Sequence, residues 1–348
     1  MSPELLNLHI SQLARTFEKS KTNKYADDRK QSYHDSLVNL FEKIKILDRY
    51  KLTDLEQLDL KQILDFCFLS IEFLDDSTLV NIPYEIVYCL EKALNEWDKT
   101  DRYIIVTSLQ NNITCYSFNP TLALNEPTYD LIFVKFNIKF EQRLIQINLP
   151  RYLANDYLAN VVLYHELGHF IDLRHQISYK IALKNKFDIK KYYHLGEFFS
   201  DVFAAQYIGL ASNYYLNYIA HKVAGSDSHP STDSRIKIVE DFLDLKTSNP
   251  DLNLIIDATR LITGNQLNIN SDKIVDDDFR KFIPTVIRNE FQLHSVFEIG
   301  WQLWKTNVKE FEEKNIKIET KYNIINNLIE KSIGNHMITE KWNKYVPH

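Results

Sequence analysis

Apolar residues recur at helical spacing through the first hundred positions of the chain. Leu6 and Leu13 would lie on the same face of one helix, with mostly polar residues between them. Thr53 and Glu56 have the spacing of a capping box, in which each side chain accepts a backbone N–H at the start of a helix, and a long apolar run follows them. Residues 1–100 are therefore predicted to form an N-terminal helical region.

Past this region the pattern changes to four short runs that are rich in β-branched and aromatic residues: YIIVTS, ITCYSF, LIFVKFNI and RLIQINL. In the last run Ile145 and Ile147 alternate with Gln146, which is typical of a strand with one polar face. We expect an edge strand, at 131–138 or 143–149, to bind an extended peptide. The helical pattern then resumes, so the chain is predicted to be an α+β protein, mostly helical, with one small sheet.

Charge and cysteine content narrow the classes of function. The 47 acidic and 41 basic residues are interspersed and give a net charge of −6, so nucleic acid is not an expected partner. Cys67, Cys89 and Cys115 are widely spaced among apolar neighbours and are predicted to be reduced, buried thiols of a cytoplasmic protein. Charges interrupt the N-terminal segment, and no run reaches the roughly 18 apolar residues of a membrane span, so we expect neither export nor a membrane span.

The segment YHELGH contains the pattern His-Glu-x-x-His. On a helix, His165 and His169 would lie on one face about 6 Å apart, where both imidazoles can reach one metal ion, with Glu166 beside them. A catalytic zinc site needs three protein ligands and one open position. A third ligand must therefore come from elsewhere in the chain.

Glu197 is the favoured third ligand. It lies in GEFFSDVFAAQ with Asp201 four residues later, so that two carboxylates share one face of a strongly apolar helix. Burying both is costly unless a cation compensates them, and a metal ion with its histidine ligand would do so. We expect Glu197 to bind the metal and Asp201 to accept the ring N–H of His165.

His175 is the alternative third ligand. HELGHFIDLRH has the histidine spacing of the metzincin motif, His-Glu-x-x-His-x-x-Gly-x-x-His. That motif uses its glycine to turn the chain sharply away from the helix, and Asp172 occupies the position in this sequence. This difference is the reason for preferring Glu197.

A loop histidine follows the second motif. In SDSHPSTDSRI, His229 precedes a proline, and Arg235 comes six residues later. A histidine in such a loop could donate a hydrogen bond to the oxyanion that forms when a carbonyl is attacked. His229 is therefore a candidate catalytic residue.

In this order, HELGH, EFFSD and HPSTDSR resemble the motifs of gluzincin metallopeptidases of the CAAX-prenyl-protease type, over roughly residues 150–245. The resemblance implies a zincin-like catalytic core and one zinc ion per chain, held by His165, His169 and Glu197. It also implies that Glu166 is the general base. The prenyl proteases embed this core in membrane helices, which this sequence lacks, so prenylated substrates and a membrane location do not carry over.

The same resemblance implies that His229 and Arg235 contact the substrate or the transition state. We therefore predict a zinc-dependent endopeptidase that acts on a protein or peptide. The alternative is a zincin-fold binding or regulatory module with a structural or degenerate metal site, which would have no use for an acid at Glu166. In either case the catalytic core is expected at 101–245, with a C-terminal helical region, 246–348, packed on it.

Overall fold

Two compact units make up the chain in the computed structural model: Met1–Val87 with Asp98–Ala154, and Tyr88–Trp97 with Asn155–His348. Helices account for 67% of the structure, and a mixed sheet of three strands accompanies them, which confirms the predicted α+β class. The residues that the structure describes are 2–25, 27–75, 77–78, 84–112, 116–270, 277–306 and 309–345.

The helices that begin in the first unit are α1 (Pro3–Ser20), α2 (Asp28–Lys45), α3 (Asp54–Asp75), α4 (Tyr84–Trp97), which continues into the second unit, and α5 (Glu126–Phe136). Leu6 and Leu13 are buried in one apolar cluster, as their spacing predicts. The Thr53 N–H donates to the Glu56 carboxylate at 2.8 Å, and the Glu56 N–H donates to the Thr53 hydroxyl at 3.4 Å. This pair confirms the capping box at the start of α3.

The sheet of the first unit consists of β1 (Tyr103–Gln110), β2 (Ser117–Asn119) and β3 (Arg143–Pro150), in the order β1-β3-β2. Strand β3 is parallel to β1 and antiparallel to β2. The prediction that 143–149 is an edge strand is therefore wrong, because both of its edges are paired. The polar face predicted from Gln146 is also wrong, since this side chain is buried.

The residues predicted as a strand at 131–138 lie largely in a helix. Pro127 fits the first turn of α5, where its missing N–H is not needed. Asn137 ends the helix in the left-handed conformation, with φ 49° and ψ 47°. Tyr129 and its neighbours pack into the apolar cluster, and this packing outweighs the weak strand preference of the β-branched residues.

Two of the three cysteines are buried, as predicted. Cys67 and Cys89 are both fully enclosed. Burial raises the pKa of the Cys67 thiol, so this group stays protonated. Cys115 lies outside the described residues, together with two other residues of the run ITCYSF.

The remaining helices belong to the second unit and are α6 (Val162–His175), α7 (Ile177–Asn185), α8 (Ile189–Ile208), α9 (Ala211–Ile219), α10 (Thr232–Leu243), α11 (Pro250–Thr263), α12 (Asp277–Arg280), α13 (Glu290–Lys305), α14 (Lys309–Glu313) and α15 (Ile318–Tyr345). HELGH lies on α6 and EFFSD on α8. Within the described part of the chain, no helix has the length and the continuous apolar run that crossing a bilayer requires.

A glycine sets the distance between α6 and α8. A Cβ atom built on Gly168 would lie 2.8 Å from the Cα of Ser200, closer than real Cβ atoms approach. The absence of a side chain at Gly168 therefore lets the backbone of α8 come close to α6. The hydroxyl of Tyr164 and Nδ1 of His294 lie 2.7 Å apart, which holds α6 to α13 as well.

Candidate metal centre

Two histidines and a glutamate converge between α6 and α8. One donor atom from each of His165, His169 and Glu197 lies within 4.8 Å of the other two, and this group could hold a metal ion. Nε2 of His165 is 3.4 Å from Oε2 of Glu197, and Nε2 of His169 is 3.6 Å from Oε1. The three residues are those that the sequence indicated as ligands.

Local geometry explains why these side chains meet. His165 and His169 are one helical turn apart on α6, and their ring centroids are 4.5 Å apart with the planes at 85°. Glu197 is on α8, one turn before Ser200, at the point where Gly168 allows the two helices to approach. The packing of α8 against α6 therefore places Glu197 beside the two histidines.

Each histidine is oriented through its second ring nitrogen. Nδ1 of His165 lies 2.9 Å from Oδ1 of Asp201, so it donates to this carboxylate. Nδ1 of His169 lies 3.0 Å from the hydroxyl of Ser200, which itself donates to the carbonyl of Gly196 and therefore accepts from the histidine. Nε2 is therefore the nitrogen that each histidine can offer to a metal ion, once the ring is in its neutral form.

Ser200 was not predicted from the sequence. Serine is common on helices, so the residue type alone does not mark Ser200 as a histidine partner. The available signal was that Ser200 stands one turn after Glu197, on the side of α8 that also carries the ligand.

Arg235 is buried among the carboxylates of the site. Its Nε and Nη2 atoms donate to the two oxygens of Asp201 at 2.8 and 2.7 Å, and its Nη1 atom lies 3.2 Å from Oε2 of Glu197. Such a two-pronged contact orients a carboxylate rigidly. The structure thus joins Arg235 to Asp201 and Glu197, and its contact with a substrate stays a prediction.

Burial and the charges of the site shift the pKa of each of the three candidate ligands. Burial is the largest influence on the pKa of His165 and would lower it, but the carboxylates of Asp201 and Glu197 together outweigh burial and raise the pKa to about 9. Burial lowers the pKa of His169 to about 3, with a further contribution from the charge on His165. Burial would raise the pKa of Glu197, but His165 and Arg235 hold it well below its usual range. A divalent cation would thus compete with one proton, the proton on His165.

Glu166 stands apart from these pairs. It is on α6 next to His165 and is buried, yet it makes no hydrogen bond or ion pair with any residue that the structure describes. Burial raises the pKa of its carboxyl group, and the negative charge of Glu197 acts in the same direction. A buried carboxyl group with a raised pKa is a candidate for proton transfer.

His229 lies at the exposed rim of the site. Its Nε2 atom is 3.4 Å from Oε1 of Glu197, and its side chain is 61% exposed. A turn holds the histidine in place: the Ser226 N–H donates to the His229 carbonyl at 2.7 Å, and the His229 N–H donates to the Ser226 hydroxyl at 3.1 Å. The structure therefore brings His229 to the ligand group, and its contact with the oxyanion stays a prediction.

His175 is not in the metal-binding group found among the described residues. Helix α6 continues without a turn through Asp172 and ends at His175. Six helical positions place His175 about 240° around the helix axis from His169. The metzincin arrangement therefore does not form, and Glu197 supplies the third donor.

The donor set fits a metal ion. Two imidazoles and a carboxylate are the ligands of many catalytic zinc sites. Oε2 of Glu197 is buried and accepts no hydrogen bond from the described residues, although Nη1 of Arg235 is 3.2 Å away. A bound cation would satisfy this oxygen.

The chain matches no protein-family model, no curated protein and no solved structure.

Proposed function

We propose that the protein is a zinc-dependent endopeptidase of the gluzincin type, with one zinc ion per chain in a zincin-like core. The observation that carries the proposal is the meeting of His165, His169 and Glu197 beside a buried carboxylate, Glu166, that makes no hydrogen bond or ion pair with any described residue. The resemblance of the three motifs to prenyl-protease-type gluzincins supports the same function. We assign the enzyme to the cytoplasm because its described cysteines are buried thiols.

The residues of the site have separate roles in hydrolysis. When bound, zinc would make a water molecule more acidic and polarise the scissile carbonyl. Glu166 accepts the proton of the water and passes it to the leaving amine, and the raised pKa of Glu166 suits it to hold that proton between the two transfers. His229, at the rim, donates to the oxyanion.

Asp201 and Arg235 contribute to hydrolysis by positioning the metal ligands. Asp201 keeps His165 in the tautomer whose Nε2 faces Glu197, and Arg235 holds both carboxylates in place. A site that only stabilised the fold would need these contacts too, so they do not separate an enzyme from a binding module. Glu166 does separate an enzyme from a binding module, because a structural metal site needs no unpaired acid beside it.

The test combines metal analysis with hydrolysis of unfolded proteins and peptide mixtures. Metal content is measured by mass spectrometry on folded wild type, Glu197→Ala, His175→Ala and Glu166→Gln. We expect close to one zinc per chain in all but Glu197→Ala, and hydrolysis in wild type and His175→Ala alone. Loss of zinc in His175→Ala would contradict the ligand set, and full activity in Glu166→Gln would remove Glu166 from its role.

A further inference from the structure

A pocket separate from the metal centre lies one helical turn away from it, on α6, α8 and the segment between them. It is a cavity of about 220 Å³ lined by Asp172, Leu173, Gln176, Tyr179 and Tyr192. By a comparable measure a single water needs about 10–15 Å³, so the cavity has room for a long side chain. Because its walls come from α6 and α8 as well as α7, its position relative to the ligands is set by the same helix packing.

Asp172 is the buried acid of this pocket. The residue is 9% exposed, and Oδ1 accepts the Ser178 N–H at 2.7 Å. No cation pairs with Asp172 anywhere in the described ranges of the chain. Burial raises the pKa of its carboxyl group to about 6, so the group carries a negative charge at neutral pH. A buried charge of this kind is costly until a cation compensates it.

Three lysines of α7 and α8 have partners other than Asp172. Lys180 donates to the carbonyl of His175 at 3.0 Å. Lys190 pairs with Asp227 at 3.2 Å, and Lys191 pairs with an aspartate of α11 at 2.6 Å. Among the described residues no cation acts on the pKa of Asp172, so its negative charge is available to a group from outside the chain.

Two tyrosines supply aromatic walls to the pocket. The rings of Tyr179 and Tyr192 have centroids 6.4 Å apart and planes at 87°, and Tyr179 is 52% exposed at the mouth. Aromatic faces attract cations and pack against alkyl chains. A carboxylate at the floor with aromatic walls matches a side chain that has an apolar stem and a cationic head.

We propose that this pocket binds a lysine or arginine side chain and that, in the reaction proposed above, this side chain belongs to the peptide substrate. The second part rests on the proposed function, because it requires a peptide at the metal centre. The first part does not, because a cation can be tested alone. On this basis the enzyme prefers substrates with a basic residue at one set distance from the cleaved bond.

The substrate preference is tested with a peptide mixture of random sequence, whose cleavage products are identified by mass spectrometry. Wild type is expected to enrich lysine and arginine at one position, and Asp172→Asn to lose this enrichment by about 10- to 150-fold, the range for a hydrogen bond to a charged group. Asparagine still accepts the Ser178 N–H, so the local fold is retained. Asp257→Asn, which removes an exposed carboxylate on α11, is the control for net charge and should keep the enrichment.

A binding measurement separates failure of the pocket from failure of the proposed function. Nuclear magnetic resonance titration compares acetyl-lysine amide with acetyl-norleucine amide, which has a similar alkyl stem and no charge. We expect wild type and Asp257→Asn to bind the lysine compound at least about tenfold more tightly, and Asp172→Asn to bind both equally. Tyr192→Leu should weaken binding of the lysine compound as well.

Each outcome bears on one of the two claims. Lysine binding that depends on Asp172, without any peptide cleavage, would support the cation pocket and count against the peptidase. Cleavage without a basic preference, together with equal binding of the two compounds by wild type, would overturn the pocket and leave the peptidase standing. A basic preference unchanged in Asp172→Asn would also overturn the pocket.

Discussion

Replacing Gly168 by alanine perturbs the contact that brings the carboxylate of α8 to the histidines of α6. The new Cβ atom would lie 2.8 Å from the Cα of Ser200, whereas ordinary contact begins at 3.4 Å. The obstacle is backbone, which cannot rotate out of the way. The two helices must therefore separate by about 0.6 Å at this point.

This separation acts on metal binding more than on folding. Overpacking costs about 1–3 kcal/mol, and the better helix propensity of alanine returns about 0.5–1 kcal/mol, so the free energy of unfolding should fall by no more than about 2.5 kcal/mol. Metal–ligand distances tolerate only about 0.2 Å, and Glu197 moves together with Ser200 on α8. We expect zinc affinity to fall by at least about tenfold, as for other changes that misplace a ligand.

The assay is a zinc titration with a competing chelator dye, combined with urea unfolding in the absence of added metal. Gly300→Ala is the matched control, because its Cβ would meet the flexible end of Ile329 at 2.6 Å and this methyl group can shift. That variant should bind zinc as wild type does. If Gly168→Ala also binds zinc within twofold of wild type, the close approach of α6 and α8 does not position the ligand.

Two more expectations concern the ligand histidines. Ser200→Ala should fold normally and lower zinc affinity by about 10- to 100-fold, because His169 loses the partner that orients it. The control is Ser36→Ala, which removes a similar hydrogen bond from a serine hydroxyl to the preceding helical turn and should leave zinc affinity unchanged. Equal zinc affinities in the two variants would contradict the role of Ser200. Zinc affinity should also rise by about tenfold per pH unit between about pH 6 and 8, since His165, with its pKa raised to about 9, must release one proton on binding. A titration in non-coordinating buffers checks this, and Asp201→Asn should give a shallower dependence.

Local patterns in the sequence determined the ligand chemistry. His165 and His169 at helical spacing, and Glu197 with Asp201 on an apolar helix, were sufficient to indicate the metal-binding group, because i and i+4 positions of any helix share a face. The capping box at Thr53 was equally accessible, since all of its atoms lie within one turn. These features depend on residues a few positions apart, whose relation is the same in every fold.

Only the tertiary structure decided how separate segments meet. Packing against the core decided that 131–136 is helical, and pairing with both β1 and β2 decided that β3 is a central strand. The contact of Gly168 with Ser200 and the uncompensated charge of Asp172 arise where α6 and α8 touch. Periodicity tells which face of a helix is buried, but the identity of the atoms opposite that face follows from close packing of the whole unit.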